Sequence, residues 1–512
     1  MQQQELKTTT LGPRGYTLSK KEFTADELAL LRKELTVKPF TLGSPMAVEK
    51  SFPAYRESDT RLYVPRYFGE KRFGAPQQWK LPPGQDIRLE FQGQLRDYQA
   101  PVVDKFLRHC IDGRQGGLLE LYCAWGKTSS ALFIASQLKK KTLVIVHKEF
   151  LMNQWIERIG QFLPSARIGK IQGQTMDVDG KDIVLCMLQS LVLKEYPTSL
   201  FESFGFTIID EVHHISSESF SNALFKVVTP YMLGLSATMD RKDGTTKVFK
   251  MFLGEVVHKA VRDGDDDNVQ VRCIRYENDD PEFNETVYDF RGNPQFSTMI
   301  TKLCEYNRRS EFLLRVIHDM LQENGGKQQI MVLAHNRNLL TYIHDAIQHR
   351  QWATVGYYVG GMKEAALKAT ESKRVVVATY QMASEGLDIK TLSSVIFCTP
   401  KTSIEQSVGR ILREKRSHQS IVVDVVDKHD IFQKQWWKRR RFYKSQGYKI
   451  VETHSHSYTP DISRWRVTSC PSKNNNNEEQ EEEENFDEES NGIVEEEETK
   501  PTKCRILLKK KK

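Results

Sequence analysis

No apolar run in this chain approaches the ~18 residues that a membrane span needs. The opening stretch MQQQELKTTT lacks the apolar segment of a signal peptide. Both absences point to a soluble, intracellular protein with no membrane partner. Cysteine is sparse and scattered. None of Cys110, Cys123, Cys186, Cys273, Cys304, Cys398, Cys470 and Cys504 forms a CxxC pair, which argues against zinc ribbons and a disulfide framework. Cys186 and Cys398 stand in apolar runs, where a thiol serves as a small buried hydrophobe. Residues 478–498 contain no Lys or Arg but 13 acids, whereas 499–512 contain no acid but seven Lys and Arg. Residues 1–477 therefore carry 67 Lys and Arg against 54 Asp and Glu, a net of +13. A basic body suits a polyanionic partner, a weak signal by itself.

The apolar content, 39% of 512 residues, is enough for a sizeable core divided over two or three domains. No internal repeat of short period is present. Residues 1–90 show no clear hydrophobic period and include an aromatic-basic stretch, Lys50–Gly69. They are expected to form an N-terminal accessory region and a candidate nucleic-acid contact. From about residue 95, short apolar runs alternate with helix-like stretches: LLELY (118–122), TLVIV (142–146), DIVLCML (182–188), FTIID (206–210) and MLGLSAT (232–238). Runs of Leu, Ile and Val without alternation predict parallel strands buried on both faces, hence a doubly wound α/β domain. The acidic segment RDGDDDNVQ (262–270) marks a boundary. A second α/β series follows: QIMVLAH (329–335), VGYYVG (355–360), RVVVATY (374–380), SVIFCTP (394–400) and SIVVDVVD (420–427). The expected division is 1–90 accessory region, 91–260 first α/β domain, 261–300 linker, 301–460 second α/β domain and 461–512 tail. The low-complexity residues 471–512 cannot bury enough apolar surface to order themselves.

Four short segments carry chemistry. In LLELYCAWGKTSS a buried strand runs through Ala124, Trp125 and Gly126 into a helix beginning Lys127, Thr128, Ser129. Such a turn aims backbone N–H groups and a helix N-terminus at phosphate. Lys127 would reach the β- and γ-phosphates and the Thr128 hydroxyl would hold Mg²⁺. Leu121 stands where the pattern GxxxxGK[ST] has its first Gly. The second segment, FTIID, ends in Asp210, placed to hold the ion mainly through its water shell, and Glu211, placed to polarise the attacking water. Taken together, the two indicate a nucleoside triphosphatase using ATP and Mg²⁺. The third, Ser236-Ala237-Thr238, closes another strand and suits coupling of the acids to a neighbouring domain. The fourth, IEQSVGRILRE (404–414), spaces Gln406, Arg410 and Arg413 by four and three along one helical face. Two such arginines suit transition-state fingers supplied by a second domain.

In their order along the chain, these segments resemble the motif series of superfamily 2 helicases over residues 95–430. LRDYQ (95–99) resembles the adenine-recognition motif, with Gln99 as the base reader, and VHKEFLMNQW (146–155) resembles motif Ia. Asp210-Glu211-Val212-His213 corresponds to motif II, Ser236-Ala237-Thr238 to motif III and QSVGRILR to motif VI. ATYQMASEGLDI (378–389) resembles motif V, placing Gly386 and Asp388 near the nucleotide. The resemblance implies nucleic-acid contacts at Gln189, Arg241, Asn336 and Thr379, and two RecA-like domains with parallel sheets. Arg241-Lys242-Asp243 after motif III is similar to the R-x-D segment of XPB-like DNA helicases. Overall size, N-terminal stretch and tail are most similar to helicases of large cytoplasmic DNA viruses, the African swine fever virus and poxviral transcript-release kinds.

That resemblance implies a monomeric ATP-dependent translocase or helicase with DNA favoured over RNA, serving viral transcription, replication or repair. It implies cytoplasmic replication sites, with packaging in the virion. The acidic tail suggests docking to transcription machinery. An RNA helicase of the same superfamily is the alternative. A scaffold with an impaired ATP site is another, raised by Ala124 and Trp125 standing where the family has Gly-x before GKT. Residues 435–444 (QWWKRRRFYK) interleave aromatics and cations, which suits phosphate contacts with base stacking, or equally a terminal helix packed against the second domain.

Overall fold

The computed structural model describes residues 8–39, 51–113, 115–122, 124–215, 217–238, 244–260, 269–385, 389–412 and 418–470. They fall into two compact units, with the change near residue 262. Among the described residues no helix is long and apolar enough to cross a membrane.

The first unit opens with a small sheet of β1 (Thr9–Gly12), β2 (Gly15–Ser19), β5 (Arg56–Glu57), β6 (Arg61–Val64) and β7 (Gln78–Trp79), ordered β5-β6-β2-β1-β7. A separate pair joins β3 (Thr36–Val37) to β4 (Phe52–Pro53). The aromatic-basic stretch is largely structural here. Arg66 is buried, with its guanidinium donating to Glu70, to the Pro230 carbonyl and to Gln115. Phe52, Tyr63 and Phe68 are buried beside it in the sequence.

The larger sheet of this unit contains β8 (Gly116–Glu120), β9 (Thr142–Val146), β10 (Ile168–Gln172), β11 (Thr175–Asp177), β12 (Ile183–Met187), β13 (Phe206–Ile209), β14 (Tyr231–Ser236) and β15 (Val256–Lys259). Their order is β11-β10-β12-β9-β13-β14-β8-β15, parallel except for the β10–β11 pair. The unalternating apolar runs are buried on both faces: every residue of β8, β9 and β13 is inside. Each Leu, Ile or Val so buried contributes roughly 1.5–3 kcal/mol. The pairing register brings Glu120 beside Ser236 and Ile209 beside Gly234, so the carboxyl ends of β8, β14 and β13 lie together.

The second unit repeats the plan. Its sheet holds β16 (Val269–Tyr276), β17 (Ile330–Ala334), β18 (Val355–Tyr358), β19 (Val375–Thr379), β20 (Ser394–Phe397), β21 (Ser420–Asp427), β22 (Lys449–His454) and β23 (Arg466–Ser469). The order is β18-β19-β17-β20-β21-β16-β22-β23, parallel except for β22–β23. Two expected boundaries are corrected. Residues 269–276 are no linker, because β16 pairs with both β21 and β22 inside the sheet. The tail does not start at 461, because β23 pairs with β22 up to Ser469; residues 471–512 lie outside the described residues.

The helix Asp430–Ser445 carries the 435–444 segment, and most of it packs inward. Trp436 and Tyr443 are fully buried. Arg439 is 1% exposed and forms a two-pronged ion pair with Asp424 of β21 at 2.7 and 2.8 Å, while the Tyr443 hydroxyl donates to the same carboxylate at 2.9 Å. A second buried pair joins Arg309, in the helix Asn307–Gln322, to Asp427 at 2.7 and 2.8 Å. Cys110, Cys186, Cys273, Cys304 and Cys398 are free and buried, as expected for Cys186 and Cys398 from their apolar runs; burial pushes the Cys304 thiol up to about 11.

Candidate active site

The turn after β8 is shaped by its backbone. Ala124 takes a left-handed conformation (φ 69°), as does Gly126 (φ 96°), and the helix Lys127–Leu138 starts directly after it. Gly126 is required twice over: its φ disfavours any side chain, and a Cβ would meet the Gln99 Nε2 atom at 2.2 Å. Trp125 is buried within the core of the unit, against the Tyr98 ring at 5.5 Å between centroids. The unusual Ala124-Trp125 pair is thus built into the loop as an anchor.

Gln99 is 3% exposed and bonded on both sides of its carboxamide. Its Nε2 donates to the Trp125 carbonyl at 2.9 Å and to that of Gly126 at 3.5 Å, and its Oε1 accepts from the Arg96 N–H at 2.9 Å. The expected base reader therefore braces the turn between β8 and the helix Lys127–Leu138. The accessible ring beside it is Tyr98, 43% exposed, with the Arg96 guanidinium 5.9 Å from its centroid.

At the end of β13, Asp210 is 6% exposed. Its two oxygens accept from the Glu211 N–H at 2.9 Å and from the indole N–H of Trp155 at 2.8 Å. Burial, then the Glu211 charge, push its pKa up to about 6, against the opposing pull of Lys127, the Trp155 donor and the Glu211 N–H. Glu211 has a left-handed backbone (φ 48°) and accepts from Lys127 Nζ at 2.7 Å. His213 Nδ1 lies 3.4 Å from the other Glu211 oxygen and 2.8 Å from Ser236 Oγ. Ser236 in turn donates to the Thr238 carbonyl. Lys127, Asp210, Glu211 and, through His213, Ser236, 109 positions from first to last, are thereby joined in one chain of contacts. Thr128 and Ser129 occupy the first turn of the helix, half-buried, and Ser129 Oγ donates to the Gly126 carbonyl at 2.9 Å.

Of the expected nucleic-acid contacts in this unit, Gln189 is exposed and its side chain donates to the His147 carbonyl just beyond β9 at 2.7 Å. In the second unit, Asn336 caps the helix Arg337–His349 by accepting from the Asn338 N–H at 2.7 Å. Thr379 ends β19, half-buried. Gln406 and Arg410 lie four apart on the helix Glu405–Arg410, and Arg410 Nε donates to the Ala383 carbonyl at 2.9 Å. Arg241, Gly386, Asp388 and Arg413 lie outside the described residues. Motif reasoning did not single out Trp155 or His213. Their signal was membership of the segments resembling motifs Ia and II, but nothing in sequence says where an indole N–H points.

A strand-turn-helix loop with a lysine, an acidic pair ending a parallel strand and a serine linked to them define the site of a nucleoside triphosphatase. The family model described as "Type III restriction enzyme, res subunit" matches residues 92–241. A protein of Acanthamoeba polyphaga mimivirus, named as an ATP-dependent RNA helicase, is 34% identical over 465 residues, 88% of this chain and 88% of that protein. An African swine fever virus protein bearing the same description is 28% identical over 397 residues, covering 73% of this chain and 77% of its own length. A protein of Invertebrate iridescent virus 6, named as a helicase, is 26% identical over 376 residues, 70% of this chain and 83% of its own. The chain belongs to the superfamily 2 ATP-dependent helicases, close to those of large DNA viruses. Among solved structures, T4 UvsW aligns with 84% of the chain and 96% of its own, at 18% identity and a TM-score of 0.33; the fold assignment rests on the strand orders above.

Proposed function

We propose that the chain is a nucleic-acid-driven motor that hydrolyses ATP at the carboxyl ends of β8, β13 and β14 and tracks along DNA. The observation that carries this reading is the Lys127–Glu211 contact of 2.7 Å at a buried Asp210. The donor set fits a magnesium nucleotide. Asp210 is a buried acid whose neighbours do not fully offset its charge, and the adjoining helix N-terminus favours phosphate.

In this reading Lys127 leaves Glu211 for the β- and γ-phosphate oxygens. That exchange frees the Glu211 carboxylate to polarise the attacking water. Asp210 and the Thr128 hydroxyl would hold Mg²⁺, with the Trp155 and Glu211 N–H groups fixing the orientation of the Asp210 carboxylate. Bound Mg²⁺ neutralises charge on the phosphate oxygens. Gln99 and Trp125 keep the loop in shape, Tyr98 offers a ring to the base, and His213 couples Glu211 to Ser236 and Thr238. Gly386 and Asp388 approach the nucleotide, and Gln406, Arg410 and Arg413 meet the developing charge. Gln189, Arg241, Asn336 and Thr379 contact the nucleic-acid backbone.

DNA is favoured by the likeness of Arg241-Lys242-Asp243 to the XPB-like segment. The names of the mimivirus and African swine fever virus relatives favour RNA as the second reading. Action as a monomer in viral transcription at cytoplasmic replication sites, docking through the acidic run 478–498 and packaging in the virion belong to the same proposal. The test is ATP turnover with matched DNA and RNA, followed by strand displacement, in wild type, Lys127→Ala and Arg413→Ala. DNA-stimulated turnover that both variants lose is expected. Stimulation by RNA alone would reverse the substrate, and turnover that survives Lys127→Ala would remove the site.

A further inference from the structure

Phe290 is the most exposed large hydrophobic side chain among the described residues, at 91%, and Tyr288 two positions earlier is 56% exposed. They stand on a built turn. Tyr288 and Pro294 form an antiparallel bridge, and the Gln295 N–H donates to the Val287 carbonyl at 2.9 Å below it. At the tip, Asp289 Oδ1 accepts from the N–H groups of Arg291 and Asn293 at 2.8 and 2.9 Å. The Asp289 N–H donates to the Asn293 carbonyl at 2.8 Å, and Gly292 supplies the positive φ of 79° that reverses the chain. The turn thus holds its aromatic tip outward, with the Arg291 guanidinium 5.0 Å from the Phe290 centroid.

Its position within the second unit is fixed by the helix that follows. That helix, Phe296–Glu305, begins with a ring set edge-on to His335 at 6.1 Å. His335 comes directly after β17 and directly before Asn336, one of the proposed nucleic-acid contacts. The base of the turn is therefore held, through Phe296, near the carboxyl end of β17 and next to Asn336.

Two exposed rings with a cation beside one of them present far less than the ~800 Å² per partner of a standard protein interface. Such a tip matches a nucleobase, which presents a π-face whatever its identity, next to a phosphate. We infer that Phe290 is a base-stacking contact for single-stranded nucleic acid, with Arg291 on the adjacent phosphate. This inference rests on the nucleic-acid-motor reading.

The test measures binding of fluorescein-labelled dT20 and U20 by the full chain carrying Phe290→Ala, Phe290→Trp or Arg291→Ala, as a function of salt. Stacking on one base predicts about 5- to 150-fold weaker binding for Phe290→Ala, with an unchanged salt slope, and retained affinity for Phe290→Trp. Arg291→Ala should lower the slope by about one. The inference is overturned if Phe290→Ala binds like wild type, as it would if the tip met a protein instead, or if Phe290→Trp is as weak as Phe290→Ala. A wild type that binds neither strand would overturn the motor reading itself, which the variants alone cannot do.

Discussion

Replacing Arg439 by Ala separates two roles for the cationic helix 430–445. Arg439 and Asp424 have side chains 1% exposed, and the two-pronged contact leaves neither charge in water. Removing the guanidinium strands the carboxylate with the Tyr443 hydroxyl as its remaining side-chain donor. Breaking a buried pair from one side costs about 3–5 kcal/mol. For a unit of this size, each kcal/mol lowers the melting temperature by ~2–4 °C, so a drop on the order of 10 °C is expected. The assay is thermal unfolding of wild type, Arg439→Ala and the double variant Arg439→Met with Asp424→Asn. The double variant should recover much of the loss, because no charge is left stranded. Arg441→Ala, on the exposed side of the same helix, should change stability by less than ~0.5 kcal/mol. An Arg439→Ala protein that melts like wild type, yet shows a flatter salt dependence of nucleic-acid binding, would refute the structural role and restore Arg439 as a phosphate contact.

Two further outcomes follow from the proposed ATP site. Glu211→Gln keeps the shape of the site but not the base, so turnover should fall about 10²-fold or more while binding of a fluorescent ATP analogue stays within a few-fold; near-normal turnover would unseat Glu211. Burial and the adjacent Glu211 charge push the Asp210 carboxyl up to about 6, above its ordinary 3.8, so the folded protein disfavours the ionised form. That cost is absent below the unfolded value and fully present above pH ~6. Asp210→Asn should therefore raise the melting temperature of nucleotide-free protein at pH 8 and lose that advantage near pH 4; an equal shift at both values would contradict the burial argument.

The clustering of Lys127, Asp210, Glu211 and Ser236 in the candidate site was legible because each lies in a short run at or just after a strand end, and parallel β-structure brings such ends together. Gln99 was legible as a residue but not as a brace, because its partners depend on where a buried carboxamide turns. The second unit's start was misplaced for a physical reason. β16 reads VQVRCIRY, and its two arginines look like solvated positions. In the fold Arg272 is matched by Glu323 and Arg275 by Glu452, so the strand lies mostly inside. The buried arginines at 66, 309 and 439 escaped for the same reason. A cation reads as exposed until its partner is known, and Asp427 lies 118 positions from Arg309.

Strand β21 holds two carboxylates three positions apart, and successive side chains on a strand point to opposite faces. Asp424 shares its face with Val422 and Val426 and meets Arg439, whereas Asp427 shares the other with Val423 and Val425 and meets Arg309. A slip of one residue would leave apolar side chains available to fill either face, since both are lined with valine. It would not leave matched charges: each carboxylate would turn to the face that lacks its arginine. The two ion pairs therefore act as a key that admits one alignment of an otherwise ambiguous valine-rich strand, and they fix the helices on both sides of the sheet to it.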